Sequence, residues 1–309
     1  MTQTHDSMTP DDFRSLARFI HERTGILLDE SKRHLLEARI SRRLEEIGLE
    51  TFEQYRRYLA IAPDRAAELE DLMARLAITD SGLYRGVSQF DYFERTLLPR
   101  LIAARQDSAQ LRIWSAGCST GEETYTIAAA VRRALGEELP DWHVEILGTD
   151  VINAALQQAE LATYEYELPA SQAGSLEPND GFIHERNGVV RILPAVRALV
   201  SFKEQDLRDS LHARRGGLWD AIFCRHVLVY FDGPTREECL GLFYDRLAAH
   251  GQLILAHGES IKSDHALFLA AKGSGQHSVW TKRDASEQEL EPATPLNSAK
   301  DGAPGGDAP

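Results

Sequence analysis

Between residues 9 and 76 the apolar positions recur at helical spacing, three or four residues apart. Thr9, Pro10 and Asp12 supply an N-cap, a first-position proline and a first-turn acid, after which Phe13, Leu16, Phe19 and Ile20 share one face and Gly25 marks a stop. A second helix is predicted over 31–48, with Leu35, Leu36, Ile40, Leu44 and Ile47 on its apolar side and Gly48 at its end. Thr51 and Gln54 form a capping-box pair that opens a third, and Leu69, Leu72, Met73 and Leu76 align in a fourth over about 64–77. The expected N-terminal unit, residues 8–78, is a helical bundle. Residues 79–96 read as a linker.

Beyond residue 96 the period changes. "LRIWSAG", "HVEILGTD", "WDAIFCRHVLVYF" and "QLILAHGE" carry apolar strands, and the segments 122–137, 152–162 and 234–251 between them read as helices. This alternation predicts an α/β unit over 97–284: a Rossmann-like, doubly wound, mostly parallel sheet with helices on both faces. One interval departs from it. Two extended runs flank Asn187-Gly188, a dipeptide suited to a tight hairpin turn, so a small antiparallel β subdomain is expected as an insertion over about 164–202. Residues 285–309 hold Pro, Gly, Ala and acids without an aromatic and read as a disordered tail.

The overall charge narrows the class of partner. A formal net charge of −14 argues against a general nucleic-acid footprint. No run approaches the roughly 18 apolar residues of a membrane span, and the N-terminus shows no basic and apolar leader pattern. Cys118, Cys224 and Cys239 are odd in number and widely spaced, which suits buried small hydrophobes in a reducing cytoplasm. The eleven His residues show no paired spacing that predicts a metal site.

The candidate chemistry lies in "SAGCSTGEE". In an open α/β sheet a ligand sits beyond the carboxyl ends of the strands. Gly117 to Gly121 reach that edge from the first strand, and Asp150 reaches it from the second, where an acid can accept hydrogen bonds from both ribose hydroxyls. The spacing is neither that of a dinucleotide loop nor of a phosphate loop, and Glu122 and Glu123 would repel a pyrophosphate. A nucleoside-like, partly cationic ligand satisfies the pattern, and S-adenosylmethionine fits. Against this, Glu122 and Glu123 also suit a helix first turn, where the macrodipole favours acids, and Asp150 suits a solvated strand end.

With these residues in place, the chain resembles the CheR-type chemoreceptor glutamate methyltransferases over roughly residues 10–282. The pairing of "SAGCSTGEE" with "CRHVLVYF" carries the resemblance more strongly than either block alone. It implies transfer of a methyl group from S-adenosylmethionine to receptor glutamates, giving methyl esters and leaving S-adenosylhomocysteine. It implies that Thr79, Ser81 and Arg85 belong to a segment closing over the cofactor, and that Glu123 and Asp150 are the acids on its amino group and its ribose, with Gly117 in the cofactor-binding block beside them. Asp206 and Leu207 match the adenine-edge pair, His226 and Val227 the pair after the fourth strand, and Arg85 and Tyr230 the groups beside the reacting carboxylate.

Thr79 and His226 replace the asparagines usual in the family, Ser81 a threonine, and Leu83-Tyr84 a Phe-Phe pair. These departures keep open an alternative, a cofactor-binding signalling module with weak or no transfer activity. The expected partner is the cytoplasmic part of chemoreceptors, met by basic residues of the 32–43 helix (Lys32, Arg33, Arg39, Arg42, Arg43) and by the 182–202 hairpin, which could accept a receptor peptide as an added strand. The expected protein is a cytoplasmic monomer. The competing view of the basic helix is a solvated face balanced by Glu37 and Glu45.

Overall fold

A computed structural model describes residues 7–76, 83, 87–165, 181–184, 188–208, 217–274 and 278–283. The N-terminal helices are α1 (Pro10–Thr24), α2 (Arg33–Ile47), α3 (Phe52–Ile61) and α4 (Arg65–Leu76). Their ends follow the predicted signals. The Thr9 hydroxyl accepts from the Asp12 backbone N–H and the Asp12 carboxylate accepts from the Thr9 N–H, a closed capping box; Thr51 and Gln54 form a second. Gly25 and Gly48 end α1 and α2 in the left-handed region. The faces named from periodicity meet in one core containing Phe13, Leu16, Ile20, Leu36, Ile40, Leu44 and Leu72.

The linker expected over 79–96 ends in helix. Val87–Tyr92 (α5) passes through a π-turn at Phe93–Leu97 into α6 (Leu98–Arg105). Phe90, Phe93, Leu97, Leu98 and Leu101 lie buried against the sheet, so this helix belongs to the α/β layer.

The main sheet comprises β1 (Gln110–Ala116), β2 (His143–Asp150), β6 (Val200–Glu204), β7 (Trp219–Cys224), β8 (Leu247–Leu255), β9 (Phe268–Ala270) and β10 (Val279–Lys282). Its spatial order is β6-β2-β1-β7-β8-β10-β9. The first five run parallel, and β10 pairs antiparallel with both β8 and β9. Helices α7 (Glu122–Leu135), α8 (Asn153–Leu161) and α10 (Gly233–Arg246) alternate with the strands. Two cores, one on each face, contain Ile113, Ile146 and Phe223 on one side and Trp114, Ile222 and Phe243 on the other. The three-stranded antiparallel insertion joins β3 (Thr163–Glu165), β4 (Phe182–His184) and β5 (Val189–Ile192) in the order β3-β5-β4. A four-residue helix, α9 (Pro194–Arg197), leads out of it.

Three boundaries differ from the sequence reading. "LVSFKE", expected with the insertion, contains β6, which pairs with β2 from Ile146↔Val200 to Asp150↔Glu204 as the edge of the main sheet. The helix expected over 234–251 stops at Arg246. Leu247 and Ala248 are buried in β8, Leu247 opposite Trp219, and Gly251 lies inside the strand, where a β-carbon would stand 2.9 Å from the Asp220 carbonyl oxygen. The apolar run 219–231 is strand only to Cys224; Leu228–Tyr230 is a single 3₁₀ turn. No helix among the described residues is long and apolar enough to cross a membrane. The expected tail, 285–309, lies outside the described residues.

Candidate functional site

The strand order reverses at β1: the chain passes from β1 to β2 and β6 on one side, then returns to β7 on the other. A crevice opens at such a switch point, beyond the carboxyl ends of the strands. Here it is a cavity of about 400 Å³, walled by Gly117, Glu123, Asp150, Asp206, Leu207, His226, Val227 and Tyr230 from the α/β layer. Thr24, Ile26, Leu28, Lys32, Leu35, Leu36, Met73 and Leu76 of the helical bundle complete it. The bundle therefore roofs the crevice. Thr79, Ser81 and Arg85 lie outside the described residues.

Backbone hydrogen bonds shape the turn after β1. The N–H groups of Gly117 and Cys118 both donate to the Thr149 carbonyl oxygen, at 2.7 and 2.9 Å, which ties the β1 and β2 ends together. Gly117 has φ 75°, and a β-carbon there would stand 2.2 Å from a Val227 methyl. Only glycine meets both demands. The turn feeds α7, whose first residues divide the two acids between different tasks. Glu122 is buried and accepts from the Thr120 hydroxyl at 2.7 Å, inside the helix start. Glu123 faces the cavity.

Sequence reasoning offered Glu123 as an acid awaiting a cationic ligand. The structure gives it a cation already. Arg225, buried at the end of β7, donates from Nη1 to Glu123 Oε2 at 2.8 Å, while the Ser115 hydroxyl donates to Oε1 at 2.9 Å. The Arg225 guanidinium also lies over the face of Phe90, 5.5 Å from the ring centroid. Arg225 was not singled out as a site residue; a lone basic residue between the apolar strand "AIFC" and "VLVYF" was the available signal.

Asp150 is the other acid of the cavity. Its carboxylate accepts the Ser119 N–H at 2.8 Å and the Ile152 N–H at 3.0 Å. Burial pushes its pKa above the ordinary aspartate value, and these N–H groups offset only part of that rise. A desolvated carboxylate with lone pairs left over is a strong acceptor for a ligand's hydroxyls. Asp206 is braced by Arg208, whose backbone N–H and guanidinium both donate to it, and the Arg208 Nη2 also donates to the Arg23 carbonyl oxygen at 2.9 Å. Burial drives the Cys118 thiol well above its ordinary pKa, helped by the charges of Asp150 and Glu123, so it is a packed small hydrophobe and no nucleophile. Burial has the same effect on Cys224, and raises Cys239 to about 12.

Val227 and Tyr230 follow β7. The Tyr230 carbonyl accepts the Leu27 N–H at 2.7 Å, Ile26 bridges to Phe231, and His21 Nε2 lies 3.0 Å from Asp232 Oδ2. The α1–α2 connector is thus stitched to the loop carrying Tyr230. The basic residues of 32–43 meet different surroundings. Arg43 is tied to buried Glu68 at 3.0 and 2.6 Å, Arg33 and Arg42 pair with Glu30 and Glu46, Lys32 turns to the cavity, and Arg39 is exposed.

The donor set suits S-adenosylmethionine. Asp150 offers acceptors for a ribose diol, Leu207, Val151 and Ile152 offer an apolar bed for a base, and Gly117 and Glu123 line the same cavity. A sheet of this order with such a cavity at its switch point defines an S-adenosylmethionine-dependent methyltransferase. Residues 79–275 match the family model "CheR methyltransferase, SAM binding domain", and residues 11–77 match "CheR methyltransferase, all-alpha domain". The chain belongs to the CheR methyltransferase family, and with it to the methyltransferases of chemotaxis.

Relatives cover most of its length. It is 32% identical to chemotaxis protein methyltransferase 2 of Pseudomonas aeruginosa, over 82% of this chain and 87% of that protein. It is 30% identical to the chemotaxis protein methyltransferase of Salmonella typhimurium, over 81% and 84%. Against the protein of that name from Borreliella burgdorferi it is 27% identical, over 84% and 92%.

Proposed function

We propose that this methyltransferase acts on glutamate side chains of chemoreceptor cytoplasmic domains and forms methyl esters. The observation that carries the reading is the cavity itself, an acid-bearing crevice at the sheet's switch point, roofed by the family's helical domain. Asp150 accepts from the ribose hydroxyls. Glu123, held by Arg225 and Ser115, turns its remaining lone pairs toward the ligand's ammonium; Gly117 borders the same end of the cavity. Asp206, Leu207, His226 and Val227 border the base and the middle of the ligand. By resemblance, Thr79, Ser81 and Arg85 close over it.

The acceptor needs little chemical help. A glutamate with an ordinary pKa near 4.3 is already ionised at neutral pH, so no general base is required. S-adenosylmethionine supplies the activated methyl group. The protein's task is to hold the acceptor carboxylate in place and keep water out. Tyr230, in the cavity wall, donates from its hydroxyl to one carboxylate oxygen, and Arg85 orients the other through a single hydrogen bond. A bidentate clamp would quench the nucleophile. Arg39 on the exposed side of α2 and the antiparallel insertion are the surfaces that meet the receptor, and the enzyme works as a monomer in the cytoplasm.

The test is calorimetric titration with S-adenosylmethionine and S-adenosylhomocysteine, followed by transfer of labelled methyl to receptor fragments. Binding that is lost in Asp150→Ala, and label that is released by mild base, are expected. Label stable to base would overturn the glutamate ester. Binding without any transfer would leave the chain a cofactor-binding signalling module.

A further inference from the structure

The loop after β7 contains an unusual backbone position. His226 has φ 60°, in the left-handed region that residues other than glycine seldom occupy. It follows Arg225, which is anchored to Glu123, and precedes Val227, which covers Gly117, and the 3₁₀ turn Leu228–Tyr230. A strained residue at the head of a short functional loop persists only if its surroundings hold it.

Glu259 supplies that hold. Its Oε2 accepts the His226 N–H at 3.1 Å and the Ala256 N–H at 2.9 Å, and its Oε1 accepts the Val229 N–H at 3.2 Å. A single carboxylate thus joins the residue just beyond β8 to both ends of the segment 226–229. The Ala256 carbonyl accepts the Glu259 N–H at 3.0 Å, so the acid sits on a tight turn of its own and has little freedom to drift. Three backbone donors converging on one anion give charge-assisted hydrogen bonds, stronger than the neutral bonds that a Gln could offer. Glu259 does not itself wall the cavity.

We propose that Glu259 is a positioning residue for methyl transfer: its carboxylate holds the left-handed turn at His226 and so fixes Tyr230 at the reacting carboxylate. This rests on the reading above for the part concerning Tyr230. The hold on the loop is a property of the cofactor-free chain and is measurable without turnover.

Glu259→Gln has the shape of the original, but its amide has one acceptor oxygen for three N–H donors and turns an NH₂ group toward them. In the full chain without cofactor, amide hydrogen exchange of a peptide covering 225–231 is expected to rise about tenfold, while peptides of α1–α4 are unchanged. Methyl transfer to a receptor fragment is expected to lose about tenfold in kcat, with a smaller change in receptor KM. In a Tyr230→Phe background the same substitution is expected to cost less than about threefold, because the two changes act through one group. Glu259→Asp, a carboxylate one carbon shorter, should recover part of the exchange protection and stands in should Glu259→Gln fold poorly. Unchanged exchange over 225–231 overturns the proposal. Equal losses of kcat with and without the Tyr230 hydroxyl overturn the link to Tyr230. A wild-type chain that transfers no methyl to receptor overturns the proposed function, and the exchange result still decides the hold on the loop.

Discussion

At the scale of single residues, Asp150 makes the sharpest prediction. Its burial raises the folded pKa, so the ionised form is disfavoured in the empty pocket, and ligand hydroxyls that donate to the carboxylate favour that form. Affinity is therefore full above the raised pKa and declines as pH falls through it, with an onset above the ordinary aspartate value. Calorimetry with S-adenosylhomocysteine from pH 7 down to about 4 should show this decline. Asp150→Asn keeps one acceptor oxygen but loses the charge; it should weaken binding about tenfold at pH 7, the cost of about one hydrogen bond to a charged acceptor, and should flatten the decline. A wild-type affinity independent of pH would contradict this account. His226 carries a second residue-scale lesson. His226 stands where the resemblance leads one to expect asparagine, and φ 60° gives a backbone reason for asparagine there, since Asn tolerates the left-handed region best after Gly. His is also enriched there, so the replacement respects the backbone requirement.

At the scale of elements, the helical bundle turns on one buried acid. Glu68 of α4 is 3% exposed and accepts from Arg43 of α2 and from the Tyr55 hydroxyl of α3 at 2.7 Å. Burial pushes the Tyr55 phenol far above its ordinary pKa, and its bond to Glu68 pushes in the same direction. Removing Glu68 leaves the buried Tyr55 hydroxyl without its acceptor, while Arg43 keeps Glu46 at 3.1 Å. Glu68→Ala is expected to destabilise the bundle by about 2 kcal/mol, read as an early loss of helix in urea denaturation. Arg39→Ala, which alters an exposed side chain of α2, should leave that transition in place. The helices themselves were legible because caps and apolar spacing are local. Arg43 was not legible as a structural residue, because its partner lies 25 positions away on another helix.

At the scale of the whole molecule, the two edges of the sheet do different work. The carboxyl edge carries the cavity. The opposite edge is closed by Asp220, 1% exposed, which accepts from Arg105 Nε at 2.8 Å and from the Arg112 N–H at 2.9 Å, and lies 2.8 Å from His250 Nε2. Burial pushes its pKa up, but the bonds from His250, the Arg112 backbone and Arg105 together outweigh burial and leave it below the ordinary value. A depressed folded pKa adds stability that is present above the unfolded value and is lost as pH falls through the folded one. Asp220→Asn should lower Tm by about 5 °C at pH 7. The gap between variant and wild type should close on acidification below about pH 4. A gap that persists to pH 2 would show that the carboxylate charge is not what holds this edge.

Periodicity, caps and turn dipeptides determined the helices, the alternation of strands and helices, and the antiparallel insertion, because each is a signal between near neighbours. Gly117 and Asp150 were legible for a related reason: strands end where small and acidic residues interrupt an apolar run. The tertiary structure alone decided that 247–250 continue a strand, since buried Leu247 needs a place opposite Trp219. It also decided that β6 joins the main sheet, that the helical bundle roofs the cavity, and that Arg225 neutralises Glu123 across 102 positions. Those outcomes depend on pairing register, burial and charge compensation between distant segments, and a chain read locally holds no record of which distant group will be near.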